Sequence, residues 1–281
     1  MVGELVFIGI GLYGLKGLTL EAINHLKTAD VVFIESYTSI VPGLNIEELI
    51  KMTKKDVKIV SRNILENLSG RPLLEEALRE KKVVLLTPGD PFIATTHISL
   101  RLTAHKMGIK TRVINAPSVL TAIFGATGLQ VYKIGRIVTI TFPYPEYNFY
   151  PYSSIEKICE NIKHGLHTIA LLDLKVEEDR AMTVAEAAEL LLKLGSQVCD
   201  EILDNNTPII VLARLGSDTE LILTRRLGEV LNLNIGPPPH TLVIPGELHP
   251  LEIAALECFA HADRKVLESW NLKIKNLKRK H

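Results

Sequence analysis

The sequence predicts an α/β protein built of two α/β domains, and three observations lead there. Apolar runs of four to six residues alternate with amphipathic segments over the first 128 positions, the pattern of a parallel sheet covered on both faces by helices. The alternation breaks between Gly128 and Gly135 and then resumes, which places a boundary there and gives domains 1–130 and 131–281. A Thr-Pro-Gly-Asp-Pro turn at 87–91 follows directly on the apolar run 83–86. Loops at the carboxyl ends of parallel strands are where small ligands sit in open α/β sheets.

In chain order, 5–10 (LVFIGI) reads as a buried strand and 18–29 as a helix capped by Thr19. The run from Leu5 to Leu15 has the length of a signal-peptide core, but Glu4 precedes it and no cleavage site follows before Lys16. Strand 31–36 comes next, then helices 45–53 and 71–81 with carboxylates on their solvated faces, then strand 83–87. Helix 95–106 ends before Gly108, in the usual stop position. Strand 111–117 and helix 118–128 complete the first half. The second half contains strand 136–142, a loop crowded with proline and tyrosine (143–152), helix 154–163, strand 167–174, helix 183–195, strands 209–214 and 240–246, and helix 250–263. No internal repeat or low-complexity tract is present.

Composition narrows the function classes. The 281 residues are 47% hydrophobic and 23% charged, as expected of a globular protein, with 32 basic and 32 acidic groups. Five cations (Lys273, Lys275, Lys278, Arg279, Lys280) fall in the last nine residues, so a basic tail from about 272 reads as a solvated, frayed end. The rest of the chain then carries 27 basic against 32 acidic groups, which argues against nucleic acid as a partner. No run of 18 apolar residues exists to span a membrane. Cys159, Cys199 and Cys258 are odd in number and widely spaced, so reduced, buried thiols and a cytoplasmic location are expected.

Gly9, Gly11 and Gly14 satisfy G-x-G-x-x-G after a strand, and Glu35 ends the next strand 21 residues beyond Gly14. That spacing is close to a dinucleotide site's ribose acid. However, Leu15, Lys16 and Gly17 delay the helix to about Leu18, whereas a dinucleotide fold needs its opening turn at the third glycine. The glycines therefore serve a wider loop. Among the nine histidines, His97 and His105 lie eight apart on one helix with no third ligand at useful spacing, so no metal is expected.

The segments GIGLYGLKGLT (9–19), FIESYTS (33–39), LLTPGDPFIATTH (85–97) and NAPSVLTA (115–122) together resemble the diphthine synthases. LLDLKVEE (171–178), LARLGS (212–217) and PPPHTLVIPG (237–246) continue the resemblance in the same order almost to the end. Those enzymes are S-adenosylmethionine-dependent methyltransferases of the tetrapyrrole-methylase-like class. The resemblance implies an active-site cleft between two α/β domains and a homodimer. It implies methylation of the amine of a 3-amino-3-carboxypropyl-modified histidine on translation elongation factor 2, yielding diphthine and S-adenosylhomocysteine. It places donor contacts at Leu12, Asp90, Ile93, Ser118, Val119, Leu172, Leu215 and His240. The alternatives are a tetrapyrrole-precursor methyltransferase on the same fold, a nicotinamide-dependent oxidoreductase built on the glycine motif, and a donor-binding module without chemistry. Glu35, Asp173, Glu177 and Glu178 are the candidates for taking the amine's proton, although the acidic run at 177–179 is most simply explained as a solvated loop.

Overall fold

The computed structural model describes residues 3–199 and 202–280. By internal contacts the chain divides into two units: one runs to Val119 and includes Val176–Asp179, and the other comprises Leu120–Lys175 and the chain from Arg180 on.

The first unit is a run of β and α elements: β1 (Glu4–Gly9), α1 (Leu20–Lys27), β2 (Val31–Glu35), α2 (Ile46–Thr53), β3 (Val57–Val60), α3 (Arg71–Leu78), β4 (Lys82–Thr87), α4 (Ile98–Lys106) and β5 (Lys110–Ile114). The strands form one parallel sheet in the order β3-β2-β4-β1-β5. Because successive side chains alternate, each central strand feeds two cores. Val6, Ile8, Val32, Ile34, Val84 and Leu86 pack with Ala22 and Leu26 of α1 and Leu49 of α2. Leu5, Phe7, Val31, Phe33, Val83 and Leu85 pack with Leu73 and Leu74 of α3 and Leu100 of α4. Burying each such side chain fully stabilises the unit by roughly 1.5–3 kcal/mol.

Caps fix two helix starts. Thr19 Oγ1 accepts the Ala22 N–H at 3.1 Å, and Asn45 Oδ1 accepts the Glu47 N–H at 2.8 Å. Two elements depart from the sequence expectation. Edge strand β3 was not anticipated, because its Ile59 points outward, 62% exposed, and breaks the buried pattern. The helix expected at 95–106 begins only at Ile98, because the Pro91 carbonyl accepts the Thr95 hydroxyl and the His97 Nδ1–H.

The boundary falls at the first residue of α5 (Val119–Thr127), and the rest of that helix opens the second unit. It continues with β6 (Val138–Ile140), α6 (Tyr152–Lys163), β7 (Thr168–Leu172), the short pair β8 (Leu174–Lys175) and β9 (Arg180–Ala181), and α7 (Val184–Val198). After it come β10 (Pro208–Ala213), β11 (Leu221–Arg226), α8 (Leu227–Val230), β12 (His240–Ile244), α9 (Pro250–Ala260) and α10 (Arg264–Lys280). The sheet order is β11-β10-β12-β7-β6, antiparallel except where β6 meets β7.

Two expectations are corrected here. The basic tail is not frayed: α10 carries Leu267, Trp270 and Ile274 buried on one side at helical spacing, and Lys273 bonds the Ile202 carbonyl and Asp204. Cys159 and Cys199 are not free thiols. They form a disulfide with Cα atoms 5.9 Å apart, and the one free thiol, Cys258, is exposed. In the tyrosine-rich loop, Phe142 is buried and Tyr150 packs on the core. Tyr144 and Phe149 close a small bridge whose tip exposes Tyr147.

Candidate functional site

The first sheet prepares its carboxyl edge for a ligand. The helix after β1 packs on one face and the helix after β4 on the other, so the loops leaving these two neighbouring strands diverge, the situation in which α/β sheets bind small molecules. The loops are nevertheless tied together where they start. Gly11 and Gly89 exchange two hydrogen bonds, at 3.1 and 3.0 Å, and Ile10 donates to the Thr87 carbonyl at 2.9 Å. The approach requires glycine: a Cβ on Gly9 would stand 2.4 Å from the Gly89 carbonyl oxygen, and Gly89 itself has φ +63°.

Asp90 holds this edge in shape. Its Oδ1 accepts the Phe92 N–H at 3.0 Å, closing its own turn. Its Oδ2 accepts the Asn115 side-chain amide at 2.9 Å and the Ala116 N–H at 3.2 Å, binding the loop after β4 to the loop after β5. The carboxylate is only 6% exposed. It is a brace with both oxygens engaged by donors of the protein itself. Leu12 sits half-buried in the first of these loops, and Ile93, 39% exposed, follows Asp90 in the second. Buried Ser118 and half-buried Val119 follow Ala116 at the start of α5. Five of the eight expected donor residues thus gather along the edge formed by β4, β1 and β5.

The other three gather in the second unit. Ala213 pairs with His240, and Leu171 with Thr241, so Leu172, His240 and Leu215 lie at one end of the adjacent strands β7, β12 and β10. His240 Nε2 donates to the Gly236 and Pro237 carbonyls, both at 3.1 Å, which leaves Nδ1 as a buried acceptor with no partner. Burial lowers the His240 pKa, and the two carbonyls only partly offset that, so the ring is neutral.

The geometry disposes of the dinucleotide alternative. Helix α1 starts at Leu20, six residues past Gly14, so its amide groups are remote from the glycines. Glu35, the ribose-acid analogue, is fully buried. Its Oε2 accepts the Tyr37 and Thr38 N–H groups, both at 3.1 Å, and its Oε1 takes the Thr38 hydroxyl. Burial raises its carboxyl to about 7 despite those bonds. Of the other proton-acceptor candidates, Asp173 accepts the Phe142 N–H at 3.0 Å and braces β6 to β7. Glu178 is exposed, and the Glu177 side chain lies outside the described residues. Among the described residues no group of three His, Cys, Asp or Glu side chains is placed to hold a metal, and no helix is long and apolar enough to cross a membrane.

Sequence reasoning passed over Thr87 and Tyr37, whose hydroxyls are buried without a hydrogen bond of full geometry. Both lie within segments that carry the family resemblance, but neither residue type announces a role.

Comparison with known proteins agrees with this architecture. The family model for tetrapyrrole (corrin/porphyrin) methylases matches residues 4–231. The diphthine synthase of Staphylothermus marinus is 42% identical over 252 residues, spanning 89% of this chain and 91% of that protein. The diphthine synthase of Methanocaldococcus jannaschii is 37% identical over 255 residues, 90% of this chain and 97% of that one. A crystal structure of diphthine synthase matches with a TM-score of 0.84 at 32% identity, covering 95% of this chain and 99% of its own. At this identity over nearly the full length of each partner, the chain belongs to the diphthine synthases, S-adenosylmethionine-dependent methyltransferases of diphthamide biosynthesis within the tetrapyrrole methylase family.

Proposed function

We propose that this chain methylates the amine of the 3-amino-3-carboxypropyl group on the modified histidine of translation elongation factor 2, in the cytoplasm. The observation that carries the reading is the Asp90-braced turn at the edge of the first sheet, in a chain of this family. The edge suits a sulfonium nucleoside: its bent backbone presents carbonyl oxygens favourable to positive charge, and Leu12, Ile93 and Val119 offer apolar surface. The unpartnered His240 Nδ1 offers an acceptor to a ligand N–H or O–H. When bound, S-adenosylmethionine supplies an electrophilic methyl group. The chain binds it through Leu12, Asp90, Ile93, Ser118 and Val119 of domain 1–130 and through Leu172, Leu215 and His240 of domain 131–281. The protein's contribution is positioning, which carries much of the barrier reduction in such transfers.

The working form is a homodimer. Val131 (53% exposed), Tyr132 (94%) and Leu251 (65%) are exposed apolar residues, and Glu252, next to Leu251, accepts the N–H of Gln130, next to Val131. Apolar surface of this kind marks protein contacts.

Incubation with methyl-labelled donor and elongation factor 2 bearing the aminocarboxypropyl histidine tests the reading. Label on that histidine's side chain is expected. Stabilisation by NAD and not by S-adenosylhomocysteine in a thermal shift, or absence of label on the factor, overturns it.

A further inference from the structure

A second group of polar atoms lies on the same carboxyl edge, on the face that packs against α3 and α4. Ile34 pairs with Leu86, and both side chains enter the core that contains α1 and α2. The next residues, Glu35 and Thr87, therefore stand side by side on the opposite face. Tyr37 joins that face through the core it shares with Phe33, Leu65 and Leu85. His97 reaches the edge from the loop after β4, where its Nδ1 bonds the Pro91 carbonyl at 2.9 Å.

Three atoms here are buried without a hydrogen bond of full geometry: Thr87 Oγ1, His97 Nε2 and Tyr37 Oη, which the Thr96 hydroxyl approaches, on residues 0%, 2% and 3% exposed. The Pro91 carbonyl can only accept, so His97 Nδ1 carries the proton and Nε2 is a bare lone pair. Burial lowers the His97 pKa, with the Pro91 bond and the Glu66 charge opposing, so the ring is neutral. Arg62 lies 5.2 Å from the centre of the Tyr37 ring. Glu66 accepts the Thr96 hydroxyl at 3.1 Å and acts on both Tyr37 and His97. Glu66 lies in a π-helical turn, Asn63–Asn67, that Arg62 precedes; such turns recur at functional sites. Leaving one buried polar atom unsatisfied is costly, and three on one edge are accounted for when a ligand completes them.

We propose that this cluster is the acceptor subsite, binding an α-amino-acid group, amine plus carboxylate, carried on a protein side chain. The inference rests on the methyltransferase reading and assigns its acceptor a place. His97 Nε2 and the Glu66 carboxylate accept from the amine. The Tyr37 and Thr87 hydroxyls, with Arg62 at the rim, donate to the carboxylate.

Three full-length variants test it. Tyr37→Phe and Thr87→Val remove the two hydroxyls with little change of volume. His97→Asn keeps a donor for the Pro91 carbonyl and deletes the Nε2 lone pair. The readouts are KM for the aminocarboxypropyl-bearing elongation factor, calorimetric affinity for S-adenosylhomocysteine, and Tm. Each variant is expected to raise KM about tenfold with donor-product affinity unchanged. Tm should hold or rise in the first two, because an orphaned group is lost. A purely structural role would instead lower Tm and leave KM alone, and that result overturns the proposal. So does unchanged KM in all three variants while the parent enzyme transfers methyl groups normally, which would mean that internal water alone satisfies these atoms. Absence of transfer by the parent enzyme is a separate result, one that removes the functional reading and this subsite with it.

Discussion

Replacing Glu252 with glutamine is expected to cost about 3 kcal/mol of stability at neutral pH, and the cost should vanish in acid. Glu252 is fully buried at the start of α9. Its Oε1 accepts the Gln130 N–H at 2.9 Å and His167 Nε2–H at 3.0 Å; its Oε2 accepts the His249 N–H at 2.7 Å and Lys133 Nζ at 2.5 Å. The Gly246 N–H donates to His167 Nδ1 at 2.8 Å, which puts the imidazole proton on Nε2, facing the carboxylate. Burial by itself would raise the pKa of this acid, but the four donors outweigh burial and hold it at about 2, against 4.5 for a free glutamate. At about 1.4 kcal/mol per unit, that difference is worth about 3 kcal/mol. Breaking a buried charge pair costs about 3–5 kcal/mol by a separate route. Because the folded pKa lies below the unfolded one, the stabilisation is complete above pH 4.5 and is lost as pH falls towards 2. Urea denaturation followed through Trp270, the single tryptophan, is the assay; its indole donates to the Pro245 carbonyl beside this network. The parent protein and Glu252→Gln should differ by about 3 kcal/mol at pH 7 and converge near pH 2. A gap below about 1 kcal/mol at pH 7, or one independent of pH, refutes the reasoning.

Other outcomes follow from the same geometry. Asp90→Ala removes the acceptor shared by Phe92, Asn115 and Ala116 and should weaken S-adenosylhomocysteine binding at least about tenfold by calorimetry; unchanged affinity would exclude Asp90 from the donor site. Glu35, raised to about 7 by burial, makes the opposite contribution to Glu252. Its folded pKa exceeds the unfolded value, so stability is lost as pH rises from 4.5 to 7, by about 3 kcal/mol. Glu35→Gln can keep the Tyr37 and Thr38 contacts and should abolish that loss; an identical pH profile in the variant would sink the assignment. The Cys159–Cys199 bridge closes a separation of 40 residues, worth about 4 kcal/mol on chain-entropy grounds. Cys159→Ala with Cys199→Ala should lower Tm by about 10 °C, and a Tm equal to that of the oxidised parent would contradict the bridge's role.

The elements that could be read from sequence are those whose signal is local. Thr19 three residues ahead of Ala22, or Asn45 ahead of Glu47, marks a helix start without help from the rest of the chain. The apolar runs at 5–10, 31–36 and 83–87 identify the central strands because both faces of each are buried. What escaped depends on partners distant in sequence. Edge strand β3 has neighbours on one side only and shows Ile59 to solvent. The cations of α10 suggested a free tail, although Leu267, Trp270 and Ile274 already lay at helical spacing; charge count outweighed periodicity where periodicity was the better guide. The pairing of Cys159 with Cys199 rests on α6 packing beside α7, which no spacing rule encodes.

The site divides along the same line. Asp90 was legible as a functional acid because two prolines and a glycine surround it, but its task was not, since Asn115 and Ala116 come from the next β-α connection. Glu35 illustrates the converse. Its position at a strand end invited both a ribose and a proton-transfer role, yet its oxygens are taken by the backbone of its own turn. A carboxylate's function is therefore decided by which donors already occupy it. The unoccupied polar atoms along this edge include those on Thr87 and His97, visible only once every other donor and acceptor nearby has been assigned.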